Sequence, residues 1–169
     1  NIIYPCIQYE IKYNDRDIIL LPKECEYEYV LIWLHGFGSN PKEYLDTFYG
    51  AGNSDKVPEK TKIIIPCAPN IPIERLNNKN YNSWYGYPKE GGHNMDDVTK
   101  NGKSIIRIIN EEAIKLKGRY NRIIVGGFSQ GGSMAFYIGL NNMNLIGGIV
   151  VCSGKLFNDI QLRKGNENF

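Results

Sequence analysis

Histidine is scarce in this chain of 169 residues, with two in all, and the four cysteines lie far apart. Cys6, Cys25, Cys67 and Cys152 match neither a zinc spacing nor the dense framework of a small disulfide-bonded domain, so they read as reduced thiols. Cys67 and Cys152 stand in apolar surroundings, where a free cysteine packs as a small hydrophobe. Charge of one sign is missing too: 20 basic residues face 18 acidic ones, for a formal net charge of +2. No basic run suits a nucleic acid and no repeat is present. No apolar stretch approaches the roughly 20 residues of a membrane span, and no signal peptide opens the sequence. What is present is an ordinary 42% hydrophobic content. A single domain over residues 1–169 would bury about 70% of its unfolded surface.

Chemistry concentrates at Arg122-Ile-Ile-Val-Gly-Gly-Phe-Ser-Gln-Gly-Gly-Ser133. The β-branched run Ile123–Val125 predicts a buried parallel strand, and Met134, Ala135, Ile138 and Phe136 give the segment after Ser129 an apolar helical face. Between them stands Gly127-Phe-Ser-Gln-Gly131, the strand-turn-helix on which an α/β-hydrolase presents its nucleophile. Glycine is required at both ends because the backbone passes too close to strand and helix for a Cβ. Ser129 is therefore the expected nucleophile.

Upstream, Tyr29–Leu34 reads as another buried strand and runs into His35-Gly-Phe-Gly38. Acyl transfer needs two backbone N–H donors for the tetrahedral oxyanion, one just after the nucleophile and one from a loop after an earlier strand. These would be Gln130 and Phe37. Asn40-Pro-Lys-Glu43 then supplies an N-cap, a first-turn proline and a capping-box glutamate, which predicts a helix from Pro41.

Four segments, Leu34-His-Gly-Phe-Gly38, Pro66-Cys-Ala-Pro-Asn-Ile-Pro72, Ser83-Trp-Tyr85 and Gly126-Gly-Phe-Ser-Gln-Gly-Gly132, resemble in order the landmarks of the phospholipase/carboxylesterase family, which includes acyl-protein thioesterases and lysophospholipases. The resemblance spans about Tyr29 to Ser153, and the glutamine after the serine is its discriminating detail. It implies a serine hydrolase without metal or cofactor that cleaves fatty-acyl thioesters or oxygen esters, borne by a lipidated protein or a lysophospholipid. Carried onto this chain, it implies Ser129 as nucleophile, Phe37 and Gln130 as oxyanion donors, Trp84 in the acyl-site wall and a structural role for His35. In one departure, Gly86 stands where the family commonly has an acidic residue.

The triad of this fold follows the order serine, acid, histidine, each on a later strand. Leu145–Cys152 is the strand expected after the serine helix, so this chain offers no later strand for the triad aspartate and histidine. His93 reads as a loop residue before a helix, and Asp96 and Asp97 as carboxylates at that helix's positive end. The sequence thus predicts either an esterase domain whose C-terminal strands lie beyond Phe169, or a non-catalytic hydrolase-fold subunit of a larger assembly. An apolar strand such as 145–152 should be covered by further chain or by a neighbouring subunit. Asn158 to Phe169 is polar and weakly patterned, as in a disordered or excised segment. The cytoplasm is the expected compartment, with an organelle left open.

Elsewhere, Tyr9–Tyr13 and Asp17–Leu21 predict an antiparallel hairpin at the sheet edge, Lys62–Ile65 a strand, and Asp96–Lys117 a long helix with Val98, Ile105, Ile109, Ala113 and Leu116 inward. Residues 66–94 read as one long loop. Its Ile71, Ile73, Trp84, Tyr85 and Tyr87 either wall an acyl chain or cover the core. The whole predicts a mainly parallel sheet with helices on both faces.

Overall fold

The computed structural model describes residues 9–23, 25–49 and 59–157; Cys6 and the polar segment after Phe157 lie outside them. Among the described residues, eight strands and three α-helices follow in chain order: β1 (Tyr9–Asn14), β2 (Asp17–Pro22), β3 (Tyr29–Leu34), α1 (Leu45–Tyr49), β4 (Thr61–Ile65), β5 (Asn70–Ile73), β6 (Lys79–Asn82), α2 (Met95–Lys115), β7 (Ile123–Phe128), α3 (Gln130–Asn141) and β8 (Gly148–Cys152). Six of the strands form one sheet in the order β1-β2-β4-β3-β7-β8. The β1–β2 hairpin and its junction with β4 are antiparallel, and the other pairs are parallel. This is the α/β-hydrolase architecture, a mostly parallel sheet with helices on both faces.

Strand alternation sorts the side chains. On one face Val30, Ile32, Leu34, Ile123 and Val125 pack beneath Ile105, Ile109 and Ala113 of α2 and Met134, Ala135 and Ile138 of α3. On the other, Ile18, Leu20, Ile63 and Ile65 pack with Phe48, and Trp33 meets the rings of Tyr44 and Phe48 at 6.0 and 5.5 Å. Each fully buried aliphatic side chain contributes roughly 1.5–3 kcal/mol.

The long helix starts at Asn94, whose side chain accepts from Asp96 N and Asp97 N, so the asparagine is the cap and the aspartates fill the first turn. Its inward stripe also contains Glu112, 3% exposed, which accepts from Lys62 Nζ at 2.8 Å, Lys115 Nζ at 2.7 Å and Tyr27 hydroxyl at 3.1 Å. A carboxylate is tolerated on that stripe only because these three donors surround it.

Three expectations need correction. The helix expected at Pro41 begins as a 3-10 turn, Pro41–Tyr44, before α1, and the Glu43 carboxylate takes Asn40 Nδ2 at 2.9 Å and Ser39 Oγ at 2.6 Å, instead of the Asn40 backbone N–H. The last strand starts at Gly148, not at Leu145. Met143–Leu145 forms a 3-10 turn, and contact with β7 opens at Gly147, whose N–H donates to Ile123 O at 2.7 Å and where a Cβ would lie 2.1 Å from Asn121 O. The 66–94 segment is no open loop: β5 and β6 form an antiparallel hairpin. Its bend places Asn77 and Asn78 at φ 56° and 58°, which asparagine tolerates better than most residues.

Candidate active site

The nucleophile turn is built by contacts that exclude side chains. A Cβ on Gly127 would lie 2.4 Å from Gly131 C, and one on Gly131 would lie 2.0 Å from Leu34 O and 2.6 Å from His35 O. Strand β7, the start of α3 and the end of β3 therefore touch through bare backbone. Held between them, Ser129 takes φ 52° and ψ −113°, a conformation that costs a non-glycine residue about 1–3 kcal/mol. Ser129 N donates to Cys152 O at 2.8 Å, and Ser129 O accepts from Ser133 N at 3.0 Å as the helix begins. The side chain is half-buried, not sunk under the sheet.

The His35–Gly38 loop lies against this turn, since a Cβ on Gly36 would stand 3.7 Å from Ser129 Cβ and 3.6 Å from Phe128 O. Gly38, at φ 71°, donates its N–H to Asn82 O at 2.9 Å, and Asn82 Nδ2 returns a bond to Ser39 O at 3.0 Å. The Phe37 ring is set between Tyr81 at 5.1 Å and Tyr87 at 5.5 Å. Both backbone groups expected to donate to an oxyanion, on Phe37 and Gln130, thus belong to segments packed beside Ser129.

His35 is fully buried and both its ring nitrogens are engaged. Nε2 accepts from Ala68 N at 2.9 Å, so the proton sits on Nδ1, which donates to Gly36 O at 2.8 Å. Burial, the largest influence, holds this imidazole below its ordinary range. It shapes the loop and has no free lone pair to take a proton from serine. The sign of its pH effect follows: unfolded His35 titrates near 6.5, so the stability it carries is complete above about that pH and is lost as pH falls toward the lower folded value. The urea midpoint should decline between pH 8 and 5.5, and more shallowly in His35→Gln. Equal slopes in the two proteins would show that His35 is not the source.

His93 is ringed by Tyr85, Tyr87 and Phe157 at centroid distances of 5.2, 5.7 and 5.4 Å. Asp97 Oδ2 accepts from Gly86 N at 2.9 Å. A Cβ on Gly86 would stand 3.2 Å from that oxygen, so an acidic side chain at this position would crowd a carboxylate already in place. Glycine here is matched to Asp97.

Trp84, Tyr85 and Ile73 do not line an open groove. They are 3%, 2% and 0% exposed. Trp84 Nε1 donates to His35 O at 2.8 Å, and the Tyr85 ring packs on Phe157 at 5.2 Å. Of the two readings the sequence left open, core covering is the one their burial fits, because the β5–β6 hairpin pulls the segment down onto the sheet. Phe37, Tyr81 and Tyr87 are half-buried, with the Phe37 ring meeting the other two.

The Gln130 side chain was not expected to contribute. It is 2% exposed, accepts from Trp84 N at 2.8 Å and donates to Ser83 Oγ at 2.8 Å and Tyr85 O at 3.0 Å. The co-occurrence of Ser83-Trp-Tyr85 and Gln130 was the available signal, although spacing alone could not join them.

A cavity of about 190 Å³ lined by Gly139, Leu140, Met143, Ile146 and Ile149 lies at the opposite end of α3 from Ser129. Among the described residues, no group of three or more His, Cys, Asp or Glu could hold a metal ion, and no helix is long and apolar enough to cross a membrane. Cys25, Cys67 and Cys152 are free thiols.

Known proteins are similar to this chain in sequence and in fold. Acyl-protein thioesterase 1 of Gibberella zeae is 29% identical over 153 residues, covering 82% of this chain and 61% of that protein. Lysophospholipase-like protein 1 of Mus musculus is 30% identical over 129 residues, covering 75% of this chain and 54% of the relative. The chain thus spans little more than half to three fifths of these relatives' lengths. Among solved structures, Arabidopsis thaliana SOBER1 superposes with a TM-score of 0.61 at 23% identity, covering 76% of this chain and 62% of that one. The Bacillus cereus carboxylesterase gives a TM-score of 0.63 at 19% identity, covering 86% and 63%; these likenesses support the fold. The phospholipase/carboxylesterase family model matches residues 17–168, and the chain belongs to that family.

Proposed function

We propose that this chain carries the nucleophile and oxyanion site of a serine hydrolase acting on acyl esters or thioesters. The observation that carries the reading is the forced backbone of Ser129, φ 52° between two glycines with no room for a Cβ, beside the His35–Gly38 loop. Strain of this kind is retained where it positions a reactive group. In the reaction, Ser129 Oγ attacks the substrate carbonyl carbon and gives up its proton to a general base. The oxyanion accepts from the Phe37 and Gln130 amides, and collapse expels the alcohol or thiol, leaving an acyl-serine that water hydrolyses. His35, with both ring nitrogens engaged, is not that base. The relatives' names make a lipidated protein or a lysophospholipid the substrate we infer. No cofactor enters the scheme.

The experiment is digestion and mass spectrometry of the longest native chain after exposure to a fluorophosphonate. An adduct on the peptide bearing Ser129 supports the reading. An unreacted Ser129, in protein shown to be folded, favours the second one, a hydrolase-fold subunit without catalysis, for which the engagement of His35 is the supporting observation.

The same proposal extends to the sheet edge. β8 ends the strand order, contains no charge or proline, and leaves Val150 45% exposed. Such an edge invites pairing. We take the occupant to be further polypeptide of the same fold, with a neighbouring subunit as the alternative. Residues 1–169 expressed alone should be insoluble or melt without cooperativity. A soluble monomer with a sharp thermal transition would overturn this.

A further inference from the structure

The geometry points to the Gln130 side chain as a positioning residue that sets the separation of the two oxyanion donors; this rests on the hydrolase reading above. One donor is the N–H of Gln130 itself and the other that of Phe37, on a segment some ninety residues earlier. Two hydrogen-bonded or packed bridges join these segments, and both start at the Gln130 side chain.

The first bridge runs through Trp84. Gln130 Oε1 accepts the Trp84 backbone N–H at 2.8 Å, and the Trp84 indole N–H is donated to His35 O at 2.8 Å. The same His35 carbonyl faces Gly131, where a Cβ would lie 2.6 Å from it. It is gripped from two sides, by the indole and by the first turn of α3. The second bridge runs through Tyr87, whose hydroxyl stands 3.4 Å from Gln130 Nε2 and whose ring meets the Phe37 ring edge-on at 5.5 Å. Donation from Gln130 Nε2 to Ser83 Oγ and Tyr85 O closes the 83–87 segment around the amide.

The partners leave no ambiguity in the amide's orientation: Trp84 N–H only donates and Tyr85 O only accepts, so oxygen and nitrogen are assigned by chemistry. They also explain why glutamine is needed. Glutamate cannot donate to Tyr85 O, methionine can do neither, and asparagine is one methylene short. At 2% exposure no water can replace a lost partner without reopening the segment. Oxyanion stabilisation depends on donors held at fixed distance before the charge develops. A spacer between the two donors therefore acts on the rate while touching no substrate.

The test uses the second-order rate of fluorophosphonate labelling of the longest native chain. In that step Ser129 Oγ gives its proton to the general base and bonds to phosphorus, the P–F bond breaks and fluoride leaves, while charge builds on the phosphoryl oxygen between the two donors. Gln130→Met should label on the order of 10- to 100-fold more slowly, the effect of misplacing a reacting geometry by about 1 Å. Trp84→Phe, which keeps an aromatic ring but loses the indole N–H, should slow labelling to a similar degree. Because Gln130→Met already cuts the bridge that Trp84→Phe cuts, the double variant should be no slower than Gln130→Met alone. Rates are taken on the fraction that melts cooperatively, so a variant that merely unfolds lowers the amplitude and not the rate constant. Wild-type rates in both single variants, or losses that multiply in the double, overturn the inference. Absence of wild-type labelling would instead remove the hydrolase reading on which it rests. Gln130→Glu adds a separate check, since it keeps the length and must label slowly if the donor side of the amide matters.

Discussion

Replacing Ser129 by glycine is expected to abolish fluorophosphonate labelling and hydrolysis of short acyl esters while raising the stability of the fold. Two independent consequences of one residue are involved. Without Oγ there is no nucleophile, and loss of a triad serine in a serine protease lowers turnover on the order of 10⁶-fold. The stability gain comes from the backbone: at φ 52° and ψ −113° a Cβ is strained and glycine is not, so relief of about 1–3 kcal/mol opposes the larger entropy of an unfolded glycine, roughly 0.5–1 kcal/mol. Ser129→Ala should remove activity as fully but keep the strain. Comparing the urea midpoints of the two variants separates these effects. Glycine no more stable than alanine would show that the turn is not strained, and labelling that persists in either variant would exclude Ser129 as the nucleophile.

The second large effect concerns the glycines. Gly131→Ala would set a methyl group 2.0 Å from Leu34 O and 2.6 Å from His35 O, and Gly127→Ala one 2.4 Å from Gly131 C. Every atom met is backbone, so no rotamer change can relieve the contact. Either β3 and α3 separate, breaking the register that pairs Leu34 with Gly127, or the chain does not fold. The cost should exceed the roughly 1–3 kcal/mol of ordinary core overpacking. Gly92→Ser is the control: nothing lies within 4 Å of a Cβ there, and only its φ of 75° opposes the change. Circular dichroism melts of the three variants, made in the longest native chain, decide the matter. A Gly131→Ala protein with native stability would mean that the packing at the turn is looser than these distances state.

What could be read from residues alone was whatever depends on neighbours in sequence. The β-branched runs of β3, β4 and β7, the inward stripe of α2 and the glycines at 127 and 131 each carry their reason within a few positions, and each appears where periodicity and steric need put it. The candidate site was legible for the same reason. Ser129 and the loop at 35–38 stand next to the strands that aim them, and backbone donors need only the right turn.

Partners distant in sequence were not legible. Trp84 meets Gln130 across 46 positions and Lys62 meets Glu112 across 50. No spacing rule predicts either pair, because each exists only once the 66–94 segment has folded back as a hairpin and α2 has crossed the sheet. That hairpin turned Trp84, Tyr85 and Ile73 from possible lining of an acyl groove into core, and brought Gln130 into use as a side chain. The sequence by itself determined the elements and the chemistry each could present. Only the tertiary structure decided which distant groups face one another, since hydrogen bonds between remote side chains depend on distances that chain order does not encode.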